Sequence, residues 1–203
     1  LDDSIYRTIE KRARGIISRE FKKTGRPRGS ETYRFISAFT CKGSIFYFDT
    51  VKALASRVCT IDNDLGLAHY TLSLLSEAAL EHGYDVISCP NPMFPDKLDH
   101  LIIPELSLAF VSQTASTEYP GPSYKHMRLD ALPDREKLRQ YRSHLRTCKK
   151  ITDALLHEAE TTLAEAKALH DKLEGIYNPH VDFGGVYQTA QEYANRLLHE
   201  KQA

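Results

Sequence analysis

The stretch RVCTIDNDLGLAHYTLSLLSEAALEHG, residues 57–83, decides the fold of this chain. It opens with an apolar, β-branched run over 57–61 and passes through a short loop that contains Gly66. Leucine and alanine then recur at helical spacing over 71–82, and Gly83 stands where a helix commonly ends in a left-handed cap. The stretch therefore predicts a strand, a loop and a helix in succession, which is the repeating unit of a parallel α/β sheet.

Other elements are predicted on both sides of this unit. Short apolar or β-branched runs bounded by turn residues predict strands at 34–40, 85–89, 106–111 and 126–129. Together with the central strand and helix, this order predicts an α/β fold with a mostly parallel sheet flanked by helices.

The chain divides by composition into three parts. Residues 4–23 place apolar side chains on one helical stripe, and the two glycines and one proline of 24–30 indicate a linker. We therefore expect an N-terminal helix and linker over 1–30, an α/β core over 31–132 and a helical region over 133–203. The length suits a single domain with an appended helical element.

The C-terminal third is helical by its spacing. No proline or glycine lies between Pro133 and Gly175, and apolar residues recur at intervals of three and four in a heptad-like seam. An unbroken helix of this length is about 60 Å long, so it either projects from the core or breaks near its middle. A closing helix is predicted over 186–198. The seam suits a homodimer, and it suits packing on the sheet or against the first helix at least as well.

Composition limits the classes of partner. Lysine and arginine together number 27, as do aspartate and glutamate, so the overall charge does not favour nucleic acid or an anionic membrane. The four widely spaced cysteines indicate free thiols in a reducing compartment. No apolar run is long enough to cross a bilayer, which predicts a cytoplasmic protein. The first residue is not methionine, so we expect that further residues precede it.

The loop after the central strand lies where P-loop proteins bind phosphate. In such a loop, glycines let backbone amides point inward, a lysine reaches the β- and γ-phosphates, and a hydroxyl holds Mg²⁺. Laid against the pattern GxxGxGKST, residues 63–71 keep two of the six defined positions. The residues that we single out here are Asn63, Asp64, Gly66, Ala68, His69, Tyr70 and Thr71.

The substitutions remove groups that act on a triphosphate. A neutral His69 does not supply the permanent cation of lysine, and Tyr70 places a ring where a small hydroxyl should meet the metal. Asp64 brings negative charge to the place where phosphates would lie. Asn63 is a mild change because asparagine tolerates a positive φ, whereas Ala68 is costly if its position requires one.

A second position also lacks a group that an active enzyme of this class uses to hold Mg²⁺. The strand at 106–111 is followed by Ser112, where an active enzyme of this class carries a carboxylate that helps to hold Mg²⁺. We therefore assign no catalytic residue and expect no cofactor, with ATP and Mg²⁺ as the alternative. From the motif alone, an ordinary strand-to-helix connection remains open as well.

Further ionisable residues surround the apolar run 101–103. They are Asp96, Asp99, His100 and Glu105. Near a strand entrance these groups suit a cleft at the carboxyl edge of the sheet, and His69, Asp99 and His100 suit proton transfer if they meet. The alternative is a solvated loop ended by Pro104. No histidine pattern typical of a metal site is present, so we expect no metal.

Four segments carry a resemblance to a known family. They are FISAFTCKG at 35–43, EAALEHGYDV at 77–86, PDKLDHLIIPEL at 95–106 and AKALHDKLE at 166–174. Together they resemble a family of uncharacterised bacterial ATP-binding proteins, nucleotide-kinase-like, with tandem P-loop domains. The resemblance implies a P-loop NTPase-like fold, with this chain as the second domain and a preceding homologous domain as its partner. The family's loop is an intact GxxGxGKST type, from which this chain departs.

A short internal match agrees with a tandem arrangement. IYRT at 5–8 opens the first helix, and VYQT at 186–189 opens the last. If the match is more than chance, the first helix is the tail of a preceding copy of the domain.

Three functions fit these observations. The first is a degenerate P-loop NTPase-like domain without hydrolysis, which has a structural or regulatory role in a larger tandem protein. The second is an ATP-binding, kinase-like enzyme whose loop still holds phosphate. The third is a helical oligomerisation or interaction module that uses the heptad seam.

Overall fold

The computed structural model describes residues 2–200. Its eight strands are β1 (Glu31–Tyr33), β2 (Ser37–Thr40), β3 (Gly43–Phe46), β4 (Arg57–Asp62), β5 (Val86–Pro90), β6 (Leu98–Ile103), β7 (Leu108–Gln113) and β8 (Lys125–Met127). Its five α-helices are α1 (Asp3–Glu20), α2 (Phe48–Leu54), α3 (Ala68–Glu81), α4 (Arg135–Tyr177) and α5 (Phe183–Glu200). Short 3₁₀ turns at Pro104–Leu106 and Asn178–His180 complete the order.

The main sheet has six strands in the order β1-β5-β6-β7-β4-β8. β4 pairs in parallel with β7 and β8, and β1 pairs in parallel with β5. β6 alone runs antiparallel, to β5 on one side and β7 on the other. Five strands therefore share one direction, and the predicted mostly parallel α/β sheet with flanking helices is confirmed. β2 and β3 form a separate hairpin.

The strand β6 was not predicted from the sequence. Its first half carries Asp99 and His100, which suggested a loop, although His100 and residues 101–103 are buried. The connection from β5 spans only residues 91–97 and is closed by a hydrogen bond from the Asn91 amide to the Lys97 carbonyl at 2.8 Å. A parallel crossover needs a dozen residues or more, so the returning strand must run antiparallel.

Two hydrophobic cores cover the two faces of the sheet. One contains α1, α3 and inward residues of β4, β6 and β7, and the other contains α2, Ile36 and Tyr119. The α1 residues Ile5, Ile9 and Ala13 are buried in the first core. This core therefore extends across the 24–30 linker to α1.

The C-terminal region consists of two exposed helices. α4 is continuous over 43 residues, with no buried residue, and does not break near its middle. Its N-cap is Asp134, whose side chain accepts a hydrogen bond from the Glu136 amide at 2.8 Å. Heptad-seam side chains such as Leu155 and Leu169 are exposed. Within residues 2–200, no helix combines the length and apolar character that crossing a membrane requires.

Candidate functional site

The loop 63–67 connects the end of β4 to the first residue of α3. It lies at the edge where the parallel strands β4 and β7 end, which is the common position of ligand sites in α/β sheets. Gly66 has a φ of 72°, whereas Asn63 and Ala68 have negative φ values. The two positions that replace motif glycines therefore carry no left-handed strain.

Five backbone amides of residues 63–68 are bonded within the chain, and the first of them, that of Asn63, donates to the Gln113 carbonyl at 2.8 Å. The amides of Asp64 and Leu65 donate to the Asp130 carboxylate at 2.8 and 3.1 Å. The Gly66 amide donates to the Asn63 carbonyl at 3.1 Å, and the Ala68 amide donates to Asn63 Oδ1 at 2.9 Å. Asn63 thus caps α3 from five residues before its first residue, and these amides already have acceptors within the chain.

The loop is surrounded by carboxylates. Burial is the main cause that raises the pKa of Asp130, and the nearby charges of Asp64 and Asp62 raise it further against the two amide hydrogen bonds. Asp64 Oδ1 also accepts a hydrogen bond from the Ala115 amide at 3.1 Å. These carboxylates therefore oppose the placement of an added anion within the loop itself.

The residues aligned with lysine and the two hydroxyls of the motif have other contacts. His69 Nδ1 accepts a hydrogen bond from the Leu98 amide at 3.0 Å, and burial lowers its pKa with help from the Lys97 charge. The Tyr70 ring packs edge-on against Tyr6 of α1, with centroids 4.8 Å apart. Thr71 is fully buried, and its hydroxyl has no hydrogen-bond partner among the described residues.

The second group of predicted residues is dispersed. Asp99 accepts a hydrogen bond from Asn91 Nδ2 at 2.8 Å, and burial raises the pKa of Asp99. His100 is buried against the Phe48 ring, and burial lowers the pKa of His100 to about 4. Within residues 2–200, no hydrogen bond joins any two of His69, Asp99 and His100, so the structure does not assemble them for proton transfer.

The remaining members of that group lie apart from one another. Asp96 is exposed in the turn before β6, and Glu105 forms an ion pair with Arg26. Ser112 lies in β7 opposite Ile61 of β4, one residue before the strand ends.

A hydrogen-bonded chain between β4 and β8 was missed by sequence reasoning. His126 Nε2 lies 3.1 Å from Asp62 Oδ1, and His126 Nδ1 lies 2.9 Å from the Thr60 hydroxyl. The Thr60 hydroxyl lies 2.9 Å from that of Ser123, which donates to the Lys125 carbonyl at 2.6 Å. Because Thr60 is buried and the Ser123 proton is engaged, neither hydroxyl is a free nucleophile. This series of hydrogen bonds fastens the edge strand β8 to β4.

An open groove of about 1010 Å³ separates the loop from the beginning of α4. Asp64, Leu65 and Ala115 line one side. The helix side carries a row of five cations, which we call the α4 basic row: Arg135, Arg139, Arg142, Arg146 and Lys149. Spacings of three and four place them on one face of the helix. Lys149 pairs with Asp153 at 3.5 Å, whereas the four arginines form no ion pair within the described range.

One trio of side chains has the spacing of metal ligands in the described part of the chain: His170, Asp171 and Glu174 of α4. Asp171 already pairs with Lys167, and Glu174 pairs with His170 at 3.2 Å. The trio lies on the exposed helix surface and is better explained by these ion pairs.

No protein-family model, no curated protein and no solved structure matches this chain. Its function is therefore inferred from the loop and the groove.

Proposed function

We propose that this chain is a P-loop NTPase-like domain that does not hydrolyse nucleoside triphosphates and has a structural or regulatory role in a larger tandem protein. The observation that carries the proposal is the internal bonding of the loop amides. In a working phosphate-binding loop, such amides meet phosphate oxygens. Here the amides of Asp64, Leu65 and Ala68 donate to side chains of the chain itself.

The charge around the loop supports the same conclusion. Asp62, Asp64 and Asp130 lie close enough for the first two to raise the pKa of the third. No lysine replaces the cation of the motif, since His69 occupies that position and bonds to the Leu98 amide. A metal-bound triphosphate retains negative charge, so placing it in the loop costs electrostatic energy that no cation of the loop offsets.

The tandem part of the proposal has separate support. The resemblance implies a preceding homologous domain, and the match between 5–8 and 186–189 repeats the opening of a helix. The structural or regulatory role is supported by the hydrogen bonds that hold the loop, because their acceptors, Asn63 and Asp130, belong to the chain itself.

An ATP titration with Mg²⁺ tests the proposal. We expect no hydrolysis and no binding that depends on the loop, so His69→Ala leaves the calorimetric signal unchanged. Asp96→Ala, an exposed change on the neighbouring turn, is the matched control. Micromolar binding that disappears in His69→Ala but persists in Asp96→Ala would contradict the proposal.

The α4 basic row favours a second candidate, in which the domain holds ATP without chemistry. Guanidinium groups bind phosphate oxygens through paired hydrogen bonds and need no metal. The row faces the loop across the groove, so a phosphate chain would lie against the helix and not in the loop. This candidate differs from the kinase-like alternative of the sequence analysis, in which the loop itself holds the phosphate.

Titration of ATP in the presence of EDTA tests the second candidate. We expect binding that the double variant Arg139→Ala/Arg142→Ala weakens at least tenfold. Lys167→Ala changes the same helix by one positive charge outside the groove and should leave the affinity unchanged. Absence of binding in the unmodified chain, or equal weakening by both variants, removes this candidate.

A further inference from the structure

One side of α4 carries a row of mostly apolar side chains that all lie exposed in the described chain. We call it the outer row, and its members are Tyr141, Cys148, Ile151, Leu155, Thr162, Leu169, Leu173 and Ile176. Spacings of three, four and seven residues keep them on one side of the helix. The Leu155 and Leu169 side chains are 66% and 65% exposed. A continuous exposed apolar row of this kind is typical of a surface that associates with another.

The side of α4 that faces the core is built from other residues. The α4 basic row lines the groove beside the loop 63–67, and Leu163, Lys167 and Glu174 line a crevice against Cys41. No member of the outer row lines either the groove or the crevice. A second helix can therefore cover the outer row without displacing α4 from the core.

Charge is divided between the two halves of α4. Residues 135–150 carry seven lysines and arginines and one carboxylate, whereas residues 153–174 carry six carboxylates and two lysines. The axes of packed helices lie about 8–10 Å apart, which is close to the Debye length of about 8 Å at physiological ionic strength. Two parallel copies of α4 would place like halves side by side, whereas two antiparallel copies place opposite halves side by side. The charge distribution therefore favours an antiparallel pair.

The outer row is nearly symmetric about the middle of α4. Leu155 lies close to the midpoint of this helix, which runs from Arg135 to Tyr177. Tyr141 and Leu169 lie fourteen residues from Leu155 on either side, and Cys148 and Thr162 lie seven residues from it. When the helix is reversed about Leu155, these members of the row fall on one another. A two-fold dimer interface requires a self-complementary surface of this kind.

We propose that α4 pairs with α4 of a second copy of this chain, in an antiparallel dimer whose two-fold axis passes near Leu155. Each basic half then lies beside the partner's acidic half, and the two outer rows bury their apolar side chains between them. The occupant is a second copy because both the charge halves and the outer row are complementary to α4 itself. The inference goes beyond the proposed function, fixes an orientation that the heptad seam left open, and does not depend on the loop 63–67.

Sedimentation equilibrium of the full chain measures the association. We expect a micromolar dimer, so the chain passes from monomer to dimer between about 1 and about 100 µM. In dilute solution the chain is monomeric and Leu155 stays exposed, so its variants keep the fold. Leu155→Lys places two ammonium groups near the axis and should weaken the dimer at least about tenfold. Ala154→Lys adds the same charge at an exposed neighbour outside the outer row and should leave the affinity nearly unchanged. A chain that stays monomeric throughout this range, or equal affinities of the two variants, would overturn the proposal.

Cross-linking with a short bismaleimide tests the orientation. In the antiparallel dimer, Cys148 lies beside the partner's Thr162, whereas the two Cys148 residues lie about 21 Å apart along the helix axis. Thr162→Cys should therefore give a covalent dimer linked between residues 148 and 162, which peptide masses identify, and Cys148→Ser/Thr162→Cys should lose that link. A link between the two Cys148 residues of the unmodified chain would show a parallel pair and overturn the proposal. A dimer of Thr162→Cys without the 148–162 link would overturn it as well.

Discussion

The segment from β4 through α3 differs from the helices α4 and α5 in how far its side chains are buried and its polar groups are bonded within the chain. Side chains of α3 such as Leu72 and Leu75 are fully buried, and the amides of its preceding loop are bonded to Asn63 and Asp130. α4 has no buried residue, and its four groove arginines form no ion pair in the described part of the chain. The first segment is complete within this chain, whereas the helices keep faces that can still bind something else.

The loop amides that we describe already have hydrogen-bond acceptors, whereas the groove arginines and exposed leucines of α4 do not have such partners within residues 2–200. A loop whose donors are satisfied gains little from a ligand, because each new hydrogen bond must replace an existing one. A helix face with unpaired cations and exposed leucines gains both charge compensation and apolar burial when it is covered. Binding is therefore expected at the helices and not at the loop.

The largest contrast should appear when one leucine is truncated in each segment. Leu75→Ala removes a fully buried side chain from the first core and should lower the free energy of unfolding by about 2–5 kcal/mol. Leu155→Ala removes a side chain that is 66% exposed and should change it by about 0.5 kcal/mol or less. Urea unfolding followed by circular dichroism measures both. Losses of equal size would show that α4 is packed in solution.

The pH dependence of the free energy of unfolding should show the same contrast between a buried histidine and an exposed one. Burial lowers the pKa of His100 from its ordinary value of 6.5 to about 4, so between these values the unfolded chain binds a proton that the folded chain does not. The free energy of unfolding should therefore fall as the pH drops from 6.5 towards 4, by about 1 kcal/mol per pH unit. Urea midpoints at pH 7, 6 and 5 measure this slope.

His100→Leu should remove that part of the slope, because leucine fills the space without a titrating group. His157→Leu changes an exposed residue of α4 and serves as the control, with the slope retained. A slope that persists in His100→Leu would mean that other groups cause the loss of stability in acid.

Local periodicity was sufficient for much of the fold and failed at identifiable places. The helices α1, α3, α4 and α5 and the strands β4, β5, β7 and β8 follow from residues adjacent in sequence. β6 was missed because Asp99 and His100 interrupt its apolar pattern, although one faces Asn91 and the other is buried against Phe48. The strand predicted at 34–40 coincides with β2 over its last four residues, whereas β1, β3 and α2 were not predicted, because they are too short to give a clear period.

The site was less predictable than the fold because its main contacts are not local. The comparison with the GxxGxGKST pattern directed attention to residues 63–71, but the acceptor of two loop amides is Asp130, more than 60 residues away. Likewise, Thr60 meets His126 only because β8 pairs with β4. The α4 basic row could have been predicted from its spacing of three and four residues. The sequence does not show that this face of α4 lies opposite the loop.

The smallest expected effect concerns Asp130 itself. Asp130→Ala removes the acceptor of the Asp64 and Leu65 amides, which costs stability, but it also removes a half-buried charge near Asp62 and Asp64. Burial and repulsion, which raise the pKa of Asp130, oppose the two hydrogen bonds, and we expect the free energy of unfolding to change by about 1 kcal/mol or less. Asp153→Ala on α4 removes only an exposed ion pair with Lys149 and should cost less than about 0.5 kcal/mol.

Amide hydrogen exchange gives the more direct measurement of this effect. In Asp130→Ala the amides of residues 64 and 65 should exchange at least tenfold faster, because they lose their acceptor, while the Ala68 amide should keep its rate through Asn63 Oδ1. Asn63→Ala should give the reverse pattern, with fast exchange at 68 and protection retained at 64 and 65. Uniform acceleration across 63–68 in either variant would show that the loop opens as one unit, and that the two side chains do not hold separate amides.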